Sequence, residues 1–203
     1  MHIRTIAVIG AGAVGREIAY AATSAGYATI VEDISRIRLN EAVAWITHGL
    51  DAVNRRNLDP SARDTERGRL TTATTVEDVF AEADLIIETT ADEMEMKLEL
   101  VTIFDKFARR NAIFASSGSL SITEMAEVTY RADRCIGMHF SDAVAGDRVL
   151  ELVRGSKTSQ ETVDRCAEVG RSMGRKVFVV TETQGRADGS RETKSPESKA
   201  ASV

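Results

Sequence analysis

The feature that most constrains the fold is a glycine-rich segment, "GAGAVG", at residues 10–15. It follows an apolar run at residues 3–9 whose length is typical of a short buried strand. It precedes a helical pattern at residues 15–25, and Gly26 stands where a helix commonly ends in the left-handed conformation. A strand, a tight glycine turn and a helix in this order predict the first unit of a parallel α/β sheet.

The rest of the chain repeats this alternation. Leu39, Val43, Ile46 and Leu50 recur at helical spacing in a long segment that breaks near Pro60. Further helical patterns lie at residues 75–83, 94–108, 119–128 and 158–174. Strand patterns lie at residues 28–31, 69–74, 83–90, 111–116, 134–140, 148–155 and 176–180. The sequence therefore predicts an α/β, Rossmann-type fold, a doubly wound and mostly parallel sheet with helices on both faces.

The composition changes near residue 185. Residues 185–203 carry no large apolar side chain except the terminal Val203. Such a segment cannot bury enough apolar surface to offset the entropy of ordering it. We predict one domain over residues 1–184 and a disordered polar tail over residues 185–203.

Charge and composition argue against several classes of function. The 203-residue chain has a formal net charge of −5 and no basic stripe, so nucleic acid is not an expected partner. No apolar run approaches the roughly 20 residues that span a bilayer, and the N-terminus lacks a signal-peptide pattern, so no membrane partner is expected. The two cysteines, Cys135 and Cys166, form no C-x-x-C pair. We predict a cytoplasmic protein without a metal site.

Each glycine of the segment has a distinct predicted role. Gly10 permits the tight turn, Gly12 lets the backbone approach a pyrophosphate, and Gly15 lets the helix pack closely on the strand. The free N–H groups at the start of the helix then face the phosphates. The predicted cofactor-binding loop consists of Gly10, Ala11, Gly12, Ala13, Val14 and Gly15.

Acidic residues at the end of the second strand complete this pattern. Glu32 and Asp33 stand about 20 residues beyond the glycines, where a carboxylate accepts hydrogen bonds from a ribose and repels a 2′-phosphate. We assign Asp33 to the cofactor and predict that the cofactor is NAD. Arg36 is close enough to leave NADP open. The alternative to a cofactor site is a glycine-rich turn that binds no ligand.

Longer motifs occur in order along the chain: "VIGAGAVGREIA", "VED", "ADLIIET", "FASSGSLSI", "RCIGMHF" and "LELV". Over residues 3–182 they resemble the NAD-binding domain of the 3-hydroxyacyl-CoA dehydrogenases. The resemblance implies an NAD-dependent oxidoreductase of fatty acid metabolism that transfers a hydride between NAD and a 3-hydroxyacyl thioester. Coenzyme A or a carrier protein would carry the acyl group.

The resemblance also implies catalytic residues. In that family a histidine is the general acid/base for the 3-hydroxyl group, and a glutamate twelve residues later orients it. His139 in "MHFSDAV" and Glu151 in "VLELV" stand in these positions. A carboxylate beside the imidazole would fix its tautomer. The alternative is a structural histidine at a strand end that is hydrogen-bonded to backbone.

Two further sites follow from the resemblance. The family places an acid and a lysine, five residues apart, near the ribose and nicotinamide, and Asp92 and Lys97 match that spacing. Lys97 could equally be a solvated lysine on a helix. Arg56 stands where the family uses a lysine toward coenzyme A, although Arg55 and Arg56 could simply be surface charges.

The chain departs from the family pattern within two motifs. The family's "SNTSSL" loop is one residue shorter here, which puts Gly118 at the position of its substrate-binding serine. Ser119 is our candidate to replace that serine, with Ser117 as the alternative. Asp142 and Ala143 replace the asparagine and proline of the family's "HFFNP" motif. An acid near the acyl carbonyl would oppose negative charge that develops on its oxygen.

The last departure is at the C-terminus. The family's "DTPGFIVNR" motif gives way here to the polar tail, with Gly189 in place of its asparagine. We expect the family's helical domain to be absent, which would leave the acyl site as an open half-cleft with poor exclusion of water. A homo-oligomer or a partner chain could then cover the cleft. Alternatively, the chain is an NAD-binding module without turnover, such as a truncated relative.

Overall fold

The computed structural model describes residues 2–57, 67–142 and 148–182. The strands are β1 (Thr5–Ile9), β2 (Ala28–Glu32), β3 (Leu70–Ala73), β4 (Leu85–Glu88), β5 (Ile113–Ser116), β6 (Cys135–Asp142), β7 (Arg148–Arg154) and β8 (Lys176–Thr181). The helices are α1 (Ala13–Ser24), α2 (Arg36–Asn57), α3 (Val76–Glu82), α4 (Met94–Phe107), α5 (Ile122–Ala126) and α6 (Gln160–Ser172), and Ala132–Arg134 form a 3₁₀ turn.

All of these strands lie in one sheet, in the order β3-β2-β1-β4-β5-β6-β7-β8. Neighbouring strands are parallel except β6 and β7, which are antiparallel. The chain winds outward from β1 to β3 and then returns to the other side of β1 with β4. This change of direction is the switch point at which α/β sheets bind ligands. The predicted doubly wound, mostly parallel sheet is confirmed.

Helices cover both faces of the sheet. Ile6 and Val8 of β1 pack in one core with residues of α1, α2 and α6. Ala7 and Ile9 pack in a second core with residues of α3, α4 and α5. This division follows from the two-residue period of a strand. A parallel sheet that is covered on both faces requires such continuous apolar strands.

The helix ends agree with the local sequence signals. Gly26 follows α1 with a φ of +96°, and the N–H groups of Gly26 and Tyr27 donate to the carbonyls of Thr23 and Ala22. At the start of α5 the Ser121 side chain accepts the N–H of Glu124 at 3.1 Å. Helix α1 begins at Ala13, two residues before the predicted start, and α5 is shorter than its predicted segment.

Some predicted features lie outside the described residues. They are the helix break near Pro60, the substitution at Ala143 and the polar tail at residues 185–203 with Gly189. The side chains of Arg55, Arg56 and Asp142 also lie outside them. The predicted domain limits and the disorder of the tail therefore stay predictions.

Candidate cofactor and active site

The glycine-rich segment turns between β1 and α1 under tight steric constraint. Gly10 has a φ of +101°, in the left-handed region that favours glycine. A Cβ atom on Gly15 would lie 1.8 Å from the carbonyl oxygen of Gly10, so the contact between helix and turn requires glycine. A Cβ atom on Gly12 would meet nothing within 4 Å. The fold therefore needs Gly10 and Gly15, whereas Gly12 leaves its backbone open on the side where a phosphate would approach.

The N-terminus of α1 is prepared for an anion. Gly12 is the N-cap residue and has no side chain to accept a hydrogen bond, and the first turn contains no acidic residue. The N–H groups of this turn and the positive end of the helix dipole suit a pyrophosphate. The geometry thus fits the cofactor-binding role predicted for the loop.

Thr89, just after β4, anchors this loop from the neighbouring strand. Its hydroxyl is placed to donate to the carbonyls of Ile9 at 2.9 Å and Gly10 at 3.1 Å. Its N–H also donates to Ile9 at 2.9 Å. Sequence analysis missed Thr89 because no local pattern connects it with a turn so distant in the chain. The adjacency of β1 and β4 in the sheet is the signal that brings them together.

Asp33 lies directly against the glycine loop. Its Oδ2 accepts the N–H of Ala11 at 3.0 Å, and its Oδ1 accepts the N–H of Ser35 at 2.8 Å. These two bonds fix the carboxylate at the carboxyl end of β2. Each carboxylate oxygen keeps a lone pair for a second hydrogen bond, and Nη1 of Arg38 lies 4.0 Å from Oδ2. The contact of Asp33 with a ribose hydroxyl stays a prediction.

Lys97 is completely buried, with 0% of its surface exposed. Its Nζ lies 2.6 Å from Oε2 of Glu88 and 3.3 Å from both Oδ1 of Asp92 and the hydroxyl of Ser116. Glu88 Oε2 also accepts the Ser116 hydroxyl at 2.7 Å. The alternative of a solvated helix lysine is therefore wrong. Lys97 contacts Asp92 at the edge of the candidate site, and its direct contact with the cofactor stays a prediction.

Asp92 links this network to the loop after β5. Its Oδ2 accepts the N–H of Ser119 at 3.0 Å and the Ser119 hydroxyl at 2.8 Å. Burial raises the pKa of Asp92, but the two bonds from Ser119 and the charge of Lys97 outweigh it and hold the pKa below its ordinary value. A Cβ atom on Gly118 would lie 1.8 Å from Asp92 Oδ1. The Asp92 carboxylate thus occupies the space that a side chain at position 118 would need.

His139 and Glu151 are direct register partners on the antiparallel strands β6 and β7. The His139 Nδ1 atom lies 3.4 Å from Oε1 of Glu151, and both side chains are partly exposed. Among the described residues, Glu151 is the partner of this imidazole, and no backbone group bonds to it. The pairing expected from the twelve-residue spacing is present in the structure.

The strand register places the predicted groups along one edge of the sheet. Glu88 at the end of β4 pairs with Ser116 at the end of β5, and Ser116 pairs with Gly137 on β6. Strand β6 continues beyond this level and carries His139 past the edge. The loop that carries Ser119 leaves β5 at the same edge. The structure therefore brings the glycine loop, Asp92, Ser119 and His139 to the carboxyl edge of the central strands.

Other classes of site find no support in the described part of the chain. No three His, Cys, Asp or Glu side chains there converge to hold a metal ion. Burial raises the pKa of both Cys135 and Cys166 to about 12, which makes them poor nucleophiles. No helix in the residues that the structure describes is long and apolar enough to cross a bilayer.

A doubly wound sheet with a glycine turn at its switch point is the architecture of a dinucleotide-binding domain. Comparison with known proteins defines that class more closely. The family profile described as "3-hydroxyacyl-CoA dehydrogenase, NAD binding domain" matches residues 5–183. The chain belongs to the 3-hydroxyacyl-CoA dehydrogenase family through this domain, and its cofactor is NAD.

Individual relatives agree with this assignment. The 3-hydroxybutyryl-CoA dehydrogenase of Bradyrhizobium diazoefficiens is 33% identical over 179 residues, which are 87% of this chain and 61% of the relative. The mitochondrial hydroxyacyl-coenzyme A dehydrogenase of Sus scrofa is 30% identical over 190 residues, 90% of this chain and 60% of the relative. The chain therefore spans about 60% of the length of these relatives.

Solved structures show the same relationship. The (S)-3-hydroxybutyryl-CoA dehydrogenase of Ralstonia eutropha superposes with a TM-score of 0.80 at 32% identity, covering 90% of this chain and 65% of that one. The 3-hydroxybutyryl-CoA dehydrogenase of Escherichia coli superposes with a TM-score of 0.82 at 29% identity, covering 91% of this chain and 39% of that one.

Proposed function

We propose that the protein is an NAD-dependent dehydrogenase that oxidises the 3-hydroxyl group of a 3-hydroxyacyl thioester, carried by coenzyme A or by a carrier protein. The observation that carries this proposal is the His139–Glu151 pair, whose Nδ1 and Oε1 atoms lie 3.4 Å apart at the ligand-binding edge of the sheet. The names of the relatives, 3-hydroxybutyryl-CoA dehydrogenase among them, support the same class of substrate.

The His139–Glu151 pair provides the proton transfer of this reaction. With Nδ1 turned toward Glu151, the other ring nitrogen, Nε2, accepts the proton of the substrate hydroxyl. NAD supplies the acceptor for the hydride that leaves the same carbon, so the alcohol becomes a carbonyl group. Glu151 stabilises the imidazolium that forms. In the reverse direction, the imidazolium returns its proton to the carbonyl oxygen.

Ser119 is the proposed hydrogen-bonding partner of the substrate oxygen. The family's usual serine position is Gly118 in this chain, and the Asp92 carboxylate fills the space beside it. Ser119 is exposed on the same loop, and both its N–H and its hydroxyl donate to Asp92 Oδ2. Because the hydroxyl has one proton, it has to leave Asp92 before it can donate to the substrate oxygen.

A second copy or a partner chain is proposed to cover the acyl side of the site. Strand β8 is an edge strand, and its consecutive apolar residues Phe178, Val179 and Val180 are exposed. Exposed apolar residues on a sheet edge favour association with another chain. A cytoplasmic location is proposed on the two unpaired thiols, Cys135 and Cys166, which fit a reducing compartment.

A second candidate function is an NAD-binding module without turnover. The observation that favours it is Gly118, because this position has no hydroxyl and no room for one beside Asp92. Such a module would bind NAD as the dehydrogenase does and would differ only in the chemical step.

One titration distinguishes the two candidates. NADH is added to the purified chain and its fluorescence is followed; acetoacetyl-CoA is then added and absorbance at the nicotinamide band is followed. We expect binding and turnover in the wild type. In His139→Gln we expect turnover to fall about 100-fold or more while NADH affinity stays within about twofold. Binding without turnover in the wild type would favour the module, and no NADH binding would contradict both candidates.

A further inference from the structure

Helix α5, which follows the loop that carries Ser119, has only five residues. A helix of this length is not stable by its own hydrogen bonds, because nucleating it costs more than one turn returns. Its first turn also presents N–H groups that have no partner within the helix. The position of α5, and with it the position of the Ser119 loop, therefore depends on groups from elsewhere in the chain.

The Glu182 carboxylate supplies the partners for two of these N–H groups. Its Oε1 accepts the N–H of Ile122 at 3.0 Å, and its Oε2 accepts the N–H of Thr123 at 2.8 Å. The N-cap residue Ser121 accepts the next one, that of Glu124. Burial alone would raise the pKa of Glu182, but the hydrogen bonds from the start of α5 outweigh it and hold the pKa below its ordinary value. The carboxylate is therefore ionised at neutral pH while it binds both groups.

The backbone of Glu182 is fixed to the strands that carry the His139–Glu151 pair. Its N–H donates to the carbonyl of Arg154 at 2.9 Å and so extends the pairing of β7 with β8 by one residue. Glu151 lies on the same strand β7, opposite His139. Glu182 thus connects the strands of this pair with the start of α5.

Ile122, the first residue of α5, packs on these strands close to the pair. A Cβ atom on Gly137 would lie 3.3 Å from Cγ1 of Ile122, and a Cβ atom on Gly155 would lie 3.0 Å from its Cγ2. Gly137 precedes His139 by two residues on β6, and residues two apart on a strand point to the same face. The start of α5 therefore lies on the face of the sheet from which His139 and Glu151 project.

The Ser119 loop is thus held by two carboxylates that act at different places. Asp92 binds Ser119 itself, through its N–H and its hydroxyl. Glu182 binds the residues at which the loop enters α5. The Ser119 hydroxyl has to leave Asp92 before it can donate to a substrate oxygen, because it has a single proton. At that moment the bonds of Glu182 to α5 are the ones that keep the loop in place.

We propose that Glu182 is a positioning residue of the active site, which holds the Ser119 loop against the His139–Glu151 pair by binding the first two N–H groups of α5. The inference deepens the proposed function and rests on it, because it concerns how a substrate oxygen is placed between Ser119 and His139. Glu182 acts through α5, and the proton transfer stays with His139. A displacement of about 1 Å at a site can cost about 100-fold in rate, so the loss of this hold should be measurable.

The test is a double-mutant cycle of Glu182→Gln and Ser119→Ala, with the reduction of acetoacetyl-CoA by NADH as the assay. The glutamine amide accepts through one oxygen, which leaves one N–H group of α5 unpaired. Alone, Glu182→Gln should lower kcat/KM for acetoacetyl-CoA about tenfold or more and keep the affinity for NADH within about twofold. In the Ser119→Ala background it should lower kcat/KM by less than about twofold, because the hydroxyl that it positions is already absent.

Asp105→Asn is the matched control. Asp105 also accepts a backbone N–H, that of Tyr130 at 2.9 Å, but it lies near the end of α4 that points away from Asp92. Its replacement should leave kcat/KM for acetoacetyl-CoA within about twofold of the wild type. Urea unfolding verifies that both carboxylate variants fold, so that a general loss of stability is separated from a displaced loop.

Amide hydrogen exchange of the peptide that covers residues 117–124 gives a measurement that needs no turnover. Exchange should become at least about tenfold faster in Glu182→Gln and stay unchanged in Asp105→Asn. Unchanged exchange in Glu182→Gln, or additive losses of kcat/KM in the cycle, would overturn the inference and leave the dehydrogenase function intact. Absence of turnover in the wild type would instead overturn the proposed function, and the exchange rates would still decide whether Glu182 holds the loop.

Discussion

At the scale of single residues, Gly12 and Gly15 of the glycine loop differ in how well they would tolerate a side chain. Gly12 has an extended backbone with a φ of −69°, and a Cβ atom there meets nothing within 4 Å. Gly15 has no such freedom because its Cβ would overlap the Gly10 carbonyl. Gly15 is therefore required by the packing of the fold, whereas Gly12 leaves space in front of the helix for a ligand.

Gly12→Asp should abolish NADH binding without harming the fold. The new carboxylate would occupy the space where the pyrophosphate approaches and would repel it. The same carboxylate at the N-cap of α1 suits the helix, so the free energy of unfolding should stay within about 0.5 kcal/mol or rise slightly. NADH fluorescence titration and urea unfolding measure the two effects. Undiminished NADH affinity in this variant would remove the glycine loop from the cofactor site.

Gly15→Ala should destabilise the fold, whereas Gly12→Asp should not. Its methyl group has to displace the backbone of the turn, and we expect a loss of about 3 kcal/mol or more in the free energy of unfolding. A melting temperature equal to that of the wild type would show that the helix and the turn are less tightly packed than the structure indicates.

At the scale of secondary-structure elements, the hairpin of β6 and β7 explains why a spacing of twelve residues is meaningful. Its antiparallel register sets His139 directly opposite Glu151. The sequence predicted this pair through its resemblance to the family, in which a glutamate follows the histidine by twelve residues. The surroundings of Lys97 could not be predicted in that way. A lysine on a helix is usually solvated, and its burial depends on Glu88 and Asp92 meeting it in three dimensions.

Helix α4 provides a matched test of this burial. Lys97→Met would leave the Glu88 carboxylate buried without its cation, and we expect a loss of about 3–5 kcal/mol in the free energy of unfolding. Lys106→Met, on the exposed side of the same helix, should change it by no more than about 0.5 kcal/mol. Urea unfolding of both variants gives the comparison. Similar small losses in the two would argue that Lys97 is not the partner that Glu88 requires.

At the scale of the whole molecule, the alternation of strands and helices predicted the doubly wound sheet, because each local pattern agrees with its neighbours. The groups that the sequence did not reveal are side chains whose surroundings in the folded chain differ from those that the local sequence pattern indicates. Glu32 ends a strand in which the three preceding residues, Thr29, Ile30 and Val31, are buried. No periodicity separates a buried acid from a solvated one at a strand end. Such groups need the packed structure to be found, and they collect at the edge where the ligand binds.

These acids also set the pH dependence of stability. Burial, together with two neighbouring carboxylates, raises the pKa of Glu32 from 4.5 to about 7, so the folded chain holds this proton more tightly than the unfolded chain does. Its contribution to stability is complete below about pH 4.5 and is lost as the pH rises to about 7. The carboxyls of Asp92, Asp105 and Glu182 have pKa values below their ordinary range, because hydrogen bonds outweigh their burial. Their contributions are lost as the pH falls through those low values.

The raised pKa of Glu32 favours stability at low pH, and the lowered pKa values of the other three acids favour stability at higher pH. Together they predict that the free energy of unfolding is largest at about pH 5. Between about pH 5 and 7 the free energy of unfolding should decrease, by no more than about 1.4 kcal/mol per pH unit from Glu32. Glu32→Gln should remove this decrease and keep the loss of stability below about pH 4, because it leaves the other three acids in place. Urea unfolding across this range measures both slopes. If the wild type and Glu32→Gln had parallel profiles from pH 5 to 7, Glu32 would have to be charged and accommodated in the folded chain.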